Sequence, residues 1–151
     1  MKTRLLQQVS AFAVLALTAI SIGSCKKSKG DEAKDCALTM ANVSGTYRLT
    51  ALKYNPGEGQ PEQDALPLRD ACENDDLITL KSDGTYLYQD AGTVCTPGGT
   101  DNGTWSLNGK VLSSDGDIYG TVKNFDCKTF VYYIPDIYSS GDKLTFTLTK
   151  Q

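Results

Sequence analysis

The chemistry open to this chain is set by five cysteines, eighteen aspartates and glutamates and eight tyrosines, with no histidine. Without imidazole there is no Ser–His or Cys–His pair, and the commonest acid/base group and metal ligand is missing. The carboxylates of Asp75-Asp76, Asp101-Asn102 and Asp115-Gly116-Asp117 fall near expected strand ends, where calcium sites assemble from loop oxygens. The last resembles only a fragment of a calcium loop and lacks the terminal bidentate Glu at the required spacing. Asx side chains also cap turns through their own oxygens, and that accounts for every one of these residues. No metal and no cofactor is expected, and the chain is read as a non-enzyme, a carboxylate-based hydrolase being the catalytic alternative. Tyr47, Tyr86, Tyr88, Trp105 and Tyr132 occupy positions expected to point inward. They either line a cavity for an amphipathic ligand or fill a core with their hydroxyls on backbone or water. Filling is the plainer reading. Tyr54, Tyr119, Tyr133 and Tyr138 are then outward or loop residues.

Cys25 has a different chemistry. Lys2 and Arg4 precede an apolar stretch from Phe12 to Ile20, and small Gly23 and Ser24 stand before Cys25. The stretch is too short to span a bilayer comfortably, so it reads as a removable signal. Ile22-Gly23-Ser24-Cys25 resembles the lipobox of bacterial lipoproteins. The resemblance implies a signal peptide over 1–24, an acylated (palmitate-bearing) Cys25 opening a flexible tether over 25–42, and a folded domain over 43–151. Two or three acyl chains hold a protein stably where one does not.

From Cys25 onward there are 13 Lys and Arg against 18 Asp and Glu, a net charge of −5. From Asp35 onward the count is 9 against 16. A domain this acidic repels phosphate backbones, which argues against nucleic acid as a partner. Lys26, Lys27, Lys29 and Lys34 lie beside the expected anchor, where they favour anionic head groups. Lipoproteins of this type go to the outer membrane when no Asp follows the acylated cysteine, and Lys26 follows here. Surface-exported relatives carry an acidic stretch after the anchor; Lys26-Lys27-Ser28-Lys29 departs from that and implies the periplasm-facing leaflet.

With Cys25 assigned to lipid, Cys36, Cys72, Cys95 and Cys127 form an even set, and two disulfides are expected in an oxidising compartment. From Ser44 the chain is a succession of short alternating segments broken by turn residues. The first strand covers about Gly45 to Asn55, with Tyr47, Leu49 and Ala51 on one side. Prolines and glycines make residues 56–74 one long excursion with room for a short helical turn. Asp83-Gly84 closes the clearest hairpin, placing Leu80 opposite Tyr86 so that Ile78, Leu80, Tyr86 and Tyr88 share a face. Extended outward, that register brings Cys72 and Cys95 to the open end of the hairpin, within bridging reach. Cys36 with Cys127 follows by elimination. Asn108-Gly109 is read as a two-residue turn that sets Trp105 opposite Leu112. Segments 118–122 and 129–134 follow, and Leu144, Phe146 and Leu148 alternate with threonines in a last, half-buried strand.

These segments make an all-β antiparallel meander of eight strands that can close into a barrel, the last strand pairing with the first. Gly45-Thr46-Tyr47 resembles the Gly-x-Trp opening of lipocalins, with Tyr in place of Trp. Cys72-Glu73-Asn74-Asp75-Asp76, Asp83-Gly84-Thr85-Tyr86 and Gly103-Thr104-Trp105-Ser106-Leu107 resemble signatures of the lipocalin-like domains in lipoproteins of Gram-negative bacteria. The resemblance covers about Val43 to Lys150 and implies a membrane-anchored barrel binding a small hydrophobic or amphipathic molecule at its mouth. The alternative is an accessory lipoprotein with a filled barrel whose outer face docks on a protein partner.

Overall fold

The computed structural model describes residues 36–151; the expected signal segment and Cys25 lie outside the described residues. One helical turn, α1 (Met40–Val43), precedes nine strands. They are β1 (Gly45–Asn55), β2 (Gln63–Asp64), β3 (Leu77–Leu80), β4 (Thr85–Gln89), β5 (Thr100–Asn108), β6 (Val111–Ser114), β7 (Ile118–Phe125), β8 (Thr129–Pro135) and β9 (Lys143–Lys150). Neighbours along the chain pair antiparallel from β3 to β9, and β1 pairs with both β3 and β9. Eight strands therefore close a barrel, and β2 is an addition. β3 covers Gly45–Arg48 of β1, whereas β2 covers Lys53 and Tyr54 on the same edge. Between them the Ala65 amide donates to the Leu52 carbonyl at 2.9 Å, so the excursion after β1 patches the wall where β3 has ended. Two 3-10 turns, Leu66–Leu68 and Ala71–Asp75, complete that excursion.

The Asp83-Gly84 hairpin has the expected register, Leu80 opposite Tyr86 and Ile78 opposite Tyr88, with Gly84 at φ +87°. The next hairpin corrects the expectation. Asn108 pairs with Val111, so the loop is Gly109-Lys110, and Trp105 stands opposite Ser114 while Leu107 faces Leu112. Gly109 takes φ +57° at the first loop position, where turns of the II′ class place glycine; an Asn108-Gly109 loop would have put it second. A second correction concerns β1. The pairing with β9 skips Thr50, a bulge between Leu49 and Ala51, and the Thr50 hydroxyl bonds Thr149 Oγ1 at 2.8 Å. A bulge inserts one residue and so reverses the alternation beyond it. Tyr47 and Leu49 point in before it and Leu52 after it; Ala51 is not part of that inward row.

The core sits at one end of the barrel. Val43, Tyr47, Leu80, Trp105, Val122, Phe130 and Leu148 are buried together. Phe130 is edge-on to Phe125 at 6.0 Å and 6.3 Å from Tyr47. α1 closes this end: Thr39 caps it through the Asn42 amide, Val43 is fully buried, and Leu38 and Met40 pack on the core. The disulfide Cys36–Cys127 fixes the entering chain to the β7–β8 turn with 5.4 Å between Cα atoms. At the other end Cys72–Cys95 (Cα–Cα 5.3 Å) ties the second 3-10 turn to the β4–β5 loop. Both expected pairings are present.

Because Cys36–Cys127 closes a loop of 91 residues, replacing both with serine is expected to lower stability by about 2–4 kcal/mol, read as a reduced urea midpoint.

Candidate functional site

The barrel is filled at one end and hollow at the other. Along β9 the inward side chains run Leu148, Phe146, Leu144 from the closed end to the open one, and along β1 they run Leu49, Leu52, Tyr54. Next to the packed core is a chamber of about 190 Å³. Leu49, Leu52, Ile78, Tyr132, Phe146 and Leu148 form its apolar wall, and Arg69, Asp76 and Tyr88 its polar corner. Above it lies a mouth cavity of about 460 Å³, lined by Tyr54, Leu144, Tyr138 and the β2 to Arg69 stretch. Leu52 and Arg69 border both spaces and form the throat between them.

Each wall residue is placed by a simple rule. Tyr132 is directly opposite Phe146 across β8 and β9, and the two rings stack at 5.0 Å and 9°. Ile78 and Tyr88 face each other across the β3–β4 hairpin. Leu52 reaches the chamber because the Thr50 bulge turns it inward. Arg69 is brought in by the excursion, held by its Nε on Glu73 Oε2 at 3.1 Å and its Nη1 on the Glu73 carbonyl at 3.0 Å. Its remaining arm reaches the Tyr88 hydroxyl at 3.4 Å. Tyr88 in turn donates to Asp76 Oδ2, and Asp76 Oδ1 accepts the Ala91 amide at 3.2 Å. Burial first, then the Asp76 carboxylate, pushes the Tyr88 hydroxyl up to about 12; burial alone does the same for Tyr132. Both stay neutral at physiological pH.

The five aromatic residues singled out from sequence divide between the two ends. Tyr88 and Tyr132 line the chamber. Tyr47 is fully buried in the core, donating to the Val43 carbonyl, and Lys150 Nζ sits 5.4 Å from its ring. Trp105 is core too, its indole N–H donating to the Lys81 carbonyl at 2.8 Å. It borders a residual space of about 60 Å³ together with Tyr86, which also lines a side cavity of about 420 Å³ with Ile78, Tyr88 and Thr100. The Tyr86 hydroxyl donates to Asp115 at 2.7 Å, and its ring lies over Gly103, where an added Cβ would meet it at 2.7 Å. Tyr54, expected outward, instead lines the mouth. Its hydroxyl donates to Asp142 at 3.0 Å, and its ring stands edge-on to Tyr138 at 5.4 Å. Tyr119 and Tyr138 are exposed, and Tyr133 lies under Lys143. Of the acidic residues, Asp115 accepts the Thr104 amide at 2.8 Å and Asp101 the Asn102 amide at 2.8 Å, whereas Asp76, expected as a turn cap, is buried in the chamber wall.

Sequence reasoning missed Leu52, Arg69, Asp76 and Phe146 as chamber residues. For Phe146 the signal was there, in the alternation of the last strand. Arg69 carries no period, since an irregular excursion delivers it.

A family model described as a lipocalin-like domain matches residues 43–146. The chain belongs to that family, whose fold is typically one of binding rather than catalysis. No curated protein matches the chain.

Two outcomes test the division into filled and hollow ends. Phe130→Ala is expected to cost about 3–5 kcal/mol, and Phe146→Ala clearly less, because Phe146 already borders open space; urea unfolding of the two variants decides it. Asp142 orders the mouth. Burial would raise its pKa, but hydrogen bonds from Tyr54 and the Ser139, Tyr138 and Ile137 amides outweigh that and hold it below the ordinary carboxylate value. A depressed folded pKa stabilises above the unfolded one, so the advantage over Asp142→Asn is full at neutral pH. It should shrink as pH falls through the folded pKa, read from melting temperatures of both proteins across pH.

Proposed function

We propose that this protein is a membrane-anchored envelope lipoprotein, not an enzyme, whose barrel holds one small hydrophobic or amphipathic molecule. The observation that carries the reading is the apolar chamber of about 190 Å³ above a packed floor. Left without a ligand, its apolar walls forgo the packing contacts that the floor enjoys. Water is a poor substitute, because six of the nine lining residues offer walls that are mainly apolar. Membership of the lipocalin-like family supports the same reading.

Anchoring rests on the lipobox-like Ile22-Gly23-Ser24-Cys25 run, and we assign acylation to Cys25. Lys26 in the position after it favours the outer membrane, and the lysines that follow favour its periplasm-facing leaflet. The described chain enters the barrel at the closed end, where Cys36 is bonded to Cys127 of the β7–β8 turn.

An environment-sensitive neutral fluorophore should brighten on addition of the protein, and Leu49→Trp, which fills the chamber, should suppress the effect while the fold persists by circular dichroism. No brightening with the unaltered protein rules out the carrier reading. For the anchor, mass spectrometry of the exported protein should find acyl chains on Cys25, and Cys25→Ser should release the protein from membranes.

A further inference from the structure

The chamber has a charge preference, and this inference rests on the carrier reading above. Asp76 is 6% exposed and lines the chamber. It accepts hydrogen bonds from Tyr88 and the Ala91 amide, but among the described residues it forms no salt bridge. The guanidinium of Arg69 is the cation of this corner, and Glu73 already holds it through Nε at 3.1 Å. One cation therefore stands beside two carboxylates, and the local balance is negative. A buried carboxylate without an ion partner is costly, and a ligand that brings the partner recovers part of that cost. The rings of Tyr88, Tyr132 and Phe146 border the same space, and aromatic faces attract an organic cation further. A carboxylate ligand would meet Asp76 and those same ring faces, with an arginine already engaged.

We propose that the preferred ligand is an organic ammonium carried on an apolar body, its head set against Asp76 and the aromatic rings and its body against Leu49, Ile78 and Leu148. The net acidity of the domain, 9 basic against 16 acidic residues from Asp35 onward, raises the local concentration of such a ligand.

A matched set sharing one chain length tests this: hexylammonium, hexan-1-ol and hexanoate, each titrated calorimetrically into the purified full-length protein at neutral pH. The ammonium is expected to bind at least tenfold more tightly than the alcohol, and hexanoate more weakly than the alcohol. In Asp76→Asn the ammonium advantage over the alcohol should fall to within about twofold. The comparison in the unaltered protein stands whether or not that variant folds. If the alcohol binds and the ammonium binds no better, the charge preference is wrong and the carrier reading survives. Hexanoate binding tightest would give the corner to Arg69 and overturn the proposal. No binding by any of the three would remove the carrier reading and this inference with it.

Discussion

The single extra residue in β1 is the constraint on which the hollow depends. Closure of a barrel requires its first strand to pair with its last along most of their length, and here Leu49 faces Leu148 while Leu52 faces Phe146. A strand of unbroken alternation would have sent Leu52 outward with Thr46 and Arg48 and brought Ala51 and Lys53 to the interior. The Thr50 bulge keeps pairing intact while shifting the phase. An apolar wall thus continues from the floor to the mouth, and Lys53 stays outside to meet Asp64 of β2 at 3.6 Å. That exposed ion pair adds little by itself. Its place matters more, because β2 covers the upper edge of β1 after β3 has ended.

The two ends of the barrel solve different problems. At the closed end, large rings from β1, β5 and β8 meet, and each polar atom they carry is bonded: Tyr47 to the Val43 carbonyl, Trp105 to the Lys81 carbonyl. Buried rings whose polar atoms are satisfied add stability and fix a single packing. At the open end, order comes from carboxylates that gather loop amides. Asp142 collects those of Ile137, Tyr138 and Ser139, and Asp90 those of Cys95 and Gly99. Such loops hold their shape without side chains packed beneath them, so the space below the mouth can stay free.

Much of this was legible in the residues. The β3–β4 register follows from Asp83-Gly84, and the eight-strand meander from alternation and turn spacing. The family signatures rest on short runs whose physical roles are now visible: Gly103 gives way to the Tyr86 ring, and Trp105 plugs the floor. What was not legible has common physical causes. A bulge leaves no mark in a pattern of apolar and polar letters, so Leu52 was misplaced with Ala51. Asn108-Gly109 and Gly109-Lys110 are both acceptable turns, and choosing between them moves the partner of Trp105 by two positions. Arg69 arrives on irregular chain, where no period speaks for its direction. The inward tyrosines looked alike because sequence does not say how far along the axis each one sits; depth alone separates Tyr47, which fills, from Tyr132, which lines.

The most direct measurement is the position of a bound neutral ligand by nuclear Overhauser contacts in solution. Hexan-1-ol held by the protein should show contacts to methyls of Leu49, Ile78 and Leu148 and to the ring of Phe146, and none to Val43 on the floor. Contacts confined to the exposed side chains Val111, Ile118 and Tyr119 would place the alcohol on the outer surface and contradict a hollow, ligand-holding barrel.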